Sequence, residues 1–275
     1  MLRLGFNAKR AIIKRILMNE ERIMLKNLSS LQQRFLTGAG LLILVAFIGW
    51  MDSFFVMWSF LGTLYIFAFY EAMKLFKLSS SGAYTWAVLL WIIAYFYPNP
   101  DDLFFLIAII FAASLAYFHN FNKRLILPFL YPVSGILFFL VLYADYGIQA
   151  MFWLLATVAI TDVGAYFVGK TIGKTKFSDT SPNKTLEGVF GGIVLAIIIG
   201  TYIGLYIAPF WTALIVTLFT AIASIFGDLF ESYLKREAGV KDSGDILPGH
   251  GGILDRIDGY LFAAPMMIIT LRAFL

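Results

Sequence analysis

The sequence predicts an all-α, polytopic integral membrane protein with about nine transmembrane helices and a cytoplasmic N-terminus. Three observations carry this. Hydrophobic residues make up 60% of the 275 positions and charged ones only 14%, where a soluble domain carries about 25% charge. Apolar runs recur between polar breaks, too long and too uniformly apolar for barrel strands. A backbone that crosses lipid without a closed barrel must be helical. Finally, turns rich in Lys and Arg alternate with turns that lack them.

Taken in order, the spans fall at roughly 35–51, 53–73, 83–97, 103–119, 125–143, 148–169, 187–207, 209–234 and 259–274. Several are shorter than the ~20 residues that cross ~30 Å of hydrocarbon, so their boundaries are soft. The N-terminal segment carries Arg3, Lys9, Arg10, Lys14, Arg15, Arg22, Lys26 and Arg34. Asp52 is alone in the first turn, and Lys74 and Lys77 mark the second. Asp101 and Asp102 mark the third, Lys123 and Arg124 the fourth, and Asp145 the fifth. Lys170, Lys174, Lys176 and Lys184 follow the sixth span. The turn near Pro209 is uncharged, and Lys235, Arg236, Lys241 and Arg256 precede the ninth span. The alternation places the N-terminus and every large polar loop in the cytoplasm, and the C-terminus outside. Only Arg272 falls on the wrong side.

Residues 1–34 form a basic, roughly amphipathic segment, read as an interfacial helix drawn to anionic lipid. The alternatives are a solvated arm or a start-site extension, with Met18 as the second possible start. Residues 35–147 read as an N-terminal transmembrane region and 148–275 as the C-terminal one that holds the chemistry. The chain has no Cys, which excludes disulfides and thiolate metal sites. The net charge of +4 is modest, and no nucleic-acid partner is expected.

Acidic residues inside spans are costly and face a cavity or a partner. Four stand out: Glu71, Asp162, Asp228 and Glu231. Glu71 lies one turn from Lys74, and an interfacial ion pair explains it. Asp162 sits among Gly164 and Gly169, which permit close helix approach; it reads as cavity-facing. Asp228, Glu231, Ser232 and Lys235 are spaced i, i+3, i+4, i+7 and share a helix face. A ladder from Glu231 to Lys235 accounts for part of this stripe. Asp228 has no basic partner on its own helix, so a metal cation or a neighbouring element must compensate it.

The stretch "ILPGHGGILDRIDGY", Ile246 to Tyr260, adds Pro248 and three glycines that end the preceding helix. "ILDRIDGY" then opens the ninth, with Asp255 and Asp258 on one face. A Gly-rich turn opening into a helix presents N–H groups to an anion. Carboxylates beside such a nest repel an anion unless a divalent cation bridges them. The set therefore suggests a phosphate–Mg²⁺ site, since oxygen ligands without Cys favour Mg²⁺ over Zn²⁺. The loop from Lys170 to Glu187 is basic and hydroxyl-rich. Ser181, Lys184 and Thr185 suit phosphate binding, while Thr185 or Asn183 also suits a helix cap, with Glu187 in the first turn.

"SYLKREAGVKDSGDILPGHGGILDRID", Ser232 to Asp258, resembles the signature of the phosphatidate cytidylyltransferases (CDP-diacylglycerol synthases). Ser232, Lys235, Arg236, Lys241, Asp242, Pro248, His250, Gly251, Gly252, Asp255, Arg256 and Asp258 match it, and "TDVGAYFVGK", "SPNKTLEGVFGG" and "GDLFES" are similar to further family segments. The resemblance is specific over about 155–260. Leu186 departs mildly, where relatives often carry a larger aromatic. The resemblance implies that CTP and phosphatidate give CDP-diacylglycerol and pyrophosphate. It also implies a homodimer. The compact chain without a long soluble tail leans toward a bacterial inner membrane, and the charge alternation faces the site to the cytoplasm.

Under that reading Asp228 and Asp255 are the first metal ligands, with Asp258 and Glu231 next. Lys235, Arg236, Lys241 and Arg256 neutralise phosphate, and His250, Gly251 and Gly252 shape the nest. Ser181, Lys184, Thr185 and Ser232 contact substrate. Asp162 serves a second cation or fixes a basic residue, and Asp242 and Glu187 are weaker candidates. Two other functions compete. A CDP-alcohol phosphatidyltransferase is disfavoured because "DRIDGY" lacks that family's following Ala-Arg and downstream Asp pair. A transporter is disfavoured because the polar residues cluster at one membrane edge and mark no two repeated halves.

Overall fold

A computed structural model describes residues 30–118, 121–247 and 251–275. The segment read as an interfacial helix lies almost wholly outside these residues. Among them the secondary structure is helical, with only two isolated β-bridges. The helices are α1 (Ser30–Met51), α2 (Phe54–Leu75), α3 (Ser81–Phe96), α4 (Asp102–Tyr117), α5 (Ser134–Ile172), α6 (Leu186–Gly204), α7 (Phe210–Ala238) and α8 (Leu254–Phe274). A 3₁₀ turn (Lys123–Ile126) and a π turn (Phe129–Val133) lead into α5.

Among the described residues, five helical stretches are long and apolar enough to cross a membrane: Phe54–Leu75, Lys123–Ile172, Leu186–Gly204, Phe210–Ala238 and Leu254–Phe274. The first, third and fourth predicted spans correspond to shorter apolar helices. The fifth and sixth spans are joined in one 50-residue stretch. Its break is Gly147, at φ 73° and ψ −171°, a left-handed conformation that glycine adopts without steric cost. The last helix starts at Leu254, five residues before the predicted span. The helix before it ends at Ala238, capped by Gly239 at φ 76°. The expectation that Pro248 and its neighbouring glycines end that helix is therefore corrected: Gly239 does so, in the usual left-handed cap.

Bulky apolar side chains face outward along the helices, including Leu42, Phe105, Ile109, Phe152, Phe190 and Ile198. In a soluble protein such surface would be a liability; on a lipid-facing bundle it is the expected exterior. The interior is closed by aromatic and polar contacts. Trp58 Nε1 donates to Trp91 O at 3.0 Å, Tyr65 Oη to Ala87 O at 2.9 Å, and Trp153 Nε1 to Thr217 Oγ1 at 3.1 Å. The most extensive helix pairings are α5 with α6 and α7 with α8.

Charged groups separate to the two ends of the bundle. At one end Arg272 contacts both Asp101 and Asp145, and Tyr143 Oη donates to Asp52 Oδ1 at 2.9 Å. These acids come from the first, third and fifth turns. Arg272, the exception in the basic-turn pattern, thus lies with acidic partners that neutralise it. The other end carries the residues singled out for chemistry.

Candidate active site

Residues from α7, the start of α8 and the connector between α5 and α6 meet at this second end. Gly227 of α7 lies against Gly259 of α8, where an added Cβ would stand 2.6 Å from Asp258 O and 3.1 Å from Gly259 Cα. This close approach sets Asp228 beside Asp258.

Lys235 is the hub. Its Nζ donates to Glu231 Oε2 at 2.7 Å and to Asp255 Oδ1 at 2.8 Å. Glu231 is 0% exposed, Asp255 5% and Lys235 13%. Burying such charges is tolerable only when they are paired and hydrogen-bonded. Asp255 is fixed further, because its Oδ2 accepts from Ser243 N at 2.9 Å and Gly252 N at 2.8 Å. Asp228, which lacks a cation on its own helix, is compensated by Lys184 Nζ from the α5–α6 connector. Ser232 Oγ approaches Asp228 Oδ1 at 3.4 Å. Lys184 and Asp228 are each about a quarter exposed, at 25% and 27%, so an incoming substrate can reach them. Asp162 is exposed on α5, within electrostatic reach of Lys184 and Asp228.

Other expected contacts are absent or take a different form. Thr185 is the cap: its Oγ1 accepts from Gly188 N at 3.2 Å, and the hydroxyl proton stays free to donate to a phosphate oxygen. Glu187 accepts from Lys174 N at 3.1 Å and Thr175 Oγ1 at 2.8 Å, so it folds the connector. In the same connector Lys176 holds the Asp179 carboxyl below the usual carboxylate range. Ser181 accepts from Lys184 N through its backbone carbonyl at 3.1 Å. Arg236, Lys241, Asp242 and Arg256 are exposed. His250, with Pro248 and Gly249, lies outside the described residues. Gly251 adopts φ 78°, and its neighbour Gly252 is buried.

The expected anion nest is corrected. The amides of Gly252, Ile253 and Leu254 are already accepted by carboxylates of the chain, those of Asp255 and Glu71. A phosphate at this turn would have to displace them. Glu71 and Lys74 do not form the expected ion pair either; Lys74 Nζ sits 4.4 Å from the centroid of the Tyr70 ring.

Among the described residues no three carboxylates or imidazoles form a ready-made metal cluster. The carboxylates nevertheless fit a divalent cation that is completed by substrate. Glu231 Oε1 is buried with no N–H donor and faces the Asp258 carboxyl, and Asp228 lies within electrostatic reach of Asp258. Mg²⁺ commonly takes one or two carboxylates and fills its remaining positions with water and phosphate oxygens. Asp255 fits less well, because both of its oxygens are engaged.

Sequence reasoning missed Tyr131. It is buried in the π turn, its hydroxyl has no hydrogen-bond partner, and Glu231, Asp258, Asp228 and Asp255 all act on it electrostatically. A tyrosine within an apolar run gives no signal of this.

The fold is that of a helical membrane protein with a cluster of buried and half-buried charged residues at one end of its bundle. The chain belongs to the cytidylyltransferase family, whose profile matches residues 32–274. It is similar to a protein of Helicobacter pylori strain J99 named phosphatidate cytidylyltransferase, with 43% identity covering 87% of this chain and 91% of that protein. Proteins of the same name from Bacillus subtilis and Thermotoga maritima are 46% and 41% identical, over 47% and 52% of this chain and 50% and 56% of theirs.

Proposed function

We propose that this chain transfers the cytidylyl group of CTP to phosphatidate, giving CDP-diacylglycerol and pyrophosphate. The observation that carries this is the pairing of Lys184 with Asp228 beside the trio of Lys235, Glu231 and Asp255, two charge clusters that share helix α7. A phosphate oxygen of phosphatidate attacks the α-phosphorus of CTP. The new P–O bond forms as the bond to the β-phosphate bridging oxygen breaks, and that electron pair leaves with pyrophosphate. The nucleophile is already anionic at neutral pH, so no general base is required. The task is to position two polyanions and neutralise their charge.

Lys184, Arg236, Lys241 and Arg256 bind phosphate oxygens, with Ser181, Thr185 and Ser232 as neutral contacts. Lys235 holds Asp255 and Glu231 in place. Gly251, Gly252 and His250 shape the turn. Asp228 and Asp258 are the proposed ligands of Mg²⁺, with Glu231 beside them and Asp255 as an alternative ligand. Asp162 is positioned for a second cation. The bound cation would offset charge on the triphosphate and on the leaving pyrophosphate. The motif residues all fall within the proposed catalytic region 148–275.

A site at one end of the bundle suits a lipid substrate, whose acyl chains stay in the bilayer while its headgroup meets CTP. We place nine spans in a bacterial inner membrane, with the N-terminus and the site on the cytoplasmic side. The chain has no Cys, so single cysteines report topology without background. A membrane-impermeant maleimide is expected to label Asn99→Cys in intact cells, and Asp179→Cys only after permeabilisation. The reverse pattern would overturn the orientation, and equal labelling would overturn the alternation. The homodimer rests on the resemblance alone; light scattering on the purified protein tests it.

The reaction itself is tested with detergent-purified protein, phosphatidate, CTP and MgCl₂. Lipid- and cation-dependent release of pyrophosphate, with CDP-diacylglycerol formed in equal amount, is the expected result. A folded protein that shows no turnover across several lipids and divalent cations would remove the proposal.

A further inference from the structure

The carboxylate of Glu71 is an acceptor that the reaction does not use. It is 0% exposed and belongs to α2, in the N-terminal half of the chain. Its Oε1 accepts from Ile253 N at 3.1 Å; its Oε2 accepts from Leu254 N at 2.8 Å and from Ser243 Oγ at 3.3 Å. Leu254 opens α8, and Asp255 is the next residue. A helix N-terminus has orphan amides and a partial positive charge, so a carboxylate fits there without a lysine or arginine partner.

Ser243 links the two acids at this turn, giving its N–H to Asp255 and its hydroxyl to Glu71. The surrounding sequence leaves room for Glu71. A Cβ on Gly244 would stand 2.8 Å from Glu71 Cδ, and one on Gly252 would stand 2.5 Å from Glu71 Oε2 and 2.6 Å from Oε1. The loop carrying Ser243 and the first turn of α8 thus close around one side chain that arrives from 182 and 183 residues away.

We infer that Glu71 is a positioning residue: it pins the first turn of α8 so that Asp255 meets Lys235 and Asp258 meets Asp228. The inference rests on the reaction proposed above for its kinetic consequence, and on geometry alone for its structural one. The N-terminal half then does more than anchor the enzyme in lipid. Through Glu71 it sets the geometry of the catalytic turn.

Glu71→Gln is the sharpest variant. Its amide keeps one acceptor oxygen and puts an NH₂ donor opposite a backbone N–H, so two donors face each other. A misplacement of about 1 Å can cost ~100-fold in rate. Glu71→Gln is therefore expected to lower kcat roughly 10- to 100-fold. KM for CTP should change little, while the Mg²⁺ concentration for half-maximal rate should rise as Asp258 loses its fixed position. In hydrogen exchange, peptides covering 251–258 should lose protection while peptides from α6 keep theirs.

A role in bulk stability alone would instead lower kcat in proportion to the folded fraction and leave the Mg²⁺ requirement unchanged. That outcome, or unchanged exchange at 251–258, overturns the inference. Should Glu71→Gln not fold, Gly252→Ala crowds the same carboxylate from the other side and must give the same exchange pattern. If the wild type shows no turnover, the proposed reaction fails, but the exchange experiment still decides whether Glu71 pins the turn.

Discussion

A Lys235→Met protein is expected to lose turnover by roughly 100-fold or more and to melt several degrees below wild type. Both effects follow from one fact: Lys235 is the cation shared by Glu231 and Asp255, which are 0% and 5% exposed. Removing it leaves two carboxylates in a nearly closed space with no lysine between them. Breaking a buried pair from one side costs about 3–5 kcal/mol, because the remaining charge has lost both water and partner. Met is similar in volume, so packing changes little and the loss reports charge. The turnover defect has a second source. Asp255 is steered by Lys235 through Oδ1 and by two backbone amides through Oδ2, and freeing one oxygen lets its carboxyl turn away from the cluster.

The two effects separate in a double variant. Adding Glu231→Gln to Lys235→Met removes one orphaned charge and should recover part of the melting temperature, since contacting residues couple strongly. Turnover should not return, because Asp255 still lacks its cation. Thermal unfolding in detergent and pyrophosphate release, measured on the same preparations, make the comparison. Wild-type melting and wild-type turnover in Lys235→Met would mean that Lys235 is not the hub.

Local chemistry was legible in the sequence wherever period or spacing encodes it. The face shared by Asp228, Glu231, Ser232 and Lys235 follows from helical spacing, and the Glu231–Lys235 ladder forms at i, i+4 as read. Thr185 as a cap follows from its hydroxyl ahead of an apolar run. The missed pairings cross between elements. Lys184 lies 44 residues from Asp228, Lys235 20 from Asp255, and Glu71 182 from Ile253. Asp228 shows the limit well. Its lack of a cation on α7 was readable and the need for a partner followed, but a metal and a lysine from the connector meet that need equally on paper. Glu71 shows the opposite failure. Lys74 one turn away offered a sufficient local explanation, and the true donors are two backbone amides, which leave no mark in a sequence, and a serine hydroxyl 172 residues away.

Gly192→Leu is expected to abolish the folded bundle, and the reason lies in how helices associate in lipid. Gly188, Gly192, Ala196, Gly200 and Gly204 recur every fourth residue of α6, and all are buried. They form a ridge of hydrogens and one methyl group that lets α6 lie directly on α5. An added Cβ at Gly192 would meet the carbonyl oxygen of Thr161 and stand 2.9 Å from Ala165 N; one at Gly188 would stand 2.7 Å from Ala165 O. Backbone cannot yield as a flexible side chain does, so the helices must separate. Within a bilayer there is no hydrophobic gain to hold them once that fit is lost, because lipid tails solvate Leu as well as a protein interior does. Hydropathy scoring counts these residues only as part of an apolar run, which explains why the span was found and its packing face was not. Overpacking in a tight core costs about 1–3 kcal/mol or more, and here the damage spreads, because the α5–α6 connector carries Lys184 to Asp228. Size-exclusion profiles of Gly192→Leu should therefore show aggregate in place of a monodisperse peak, with Gly192→Ala intermediate. Gly40 in α1 provides the control: a Cβ there meets nothing within 4 Å, and Gly40→Leu should elute and turn over as wild type. Equal tolerance at positions 40 and 192 would mean that the small-residue ridge does not hold α6 in place.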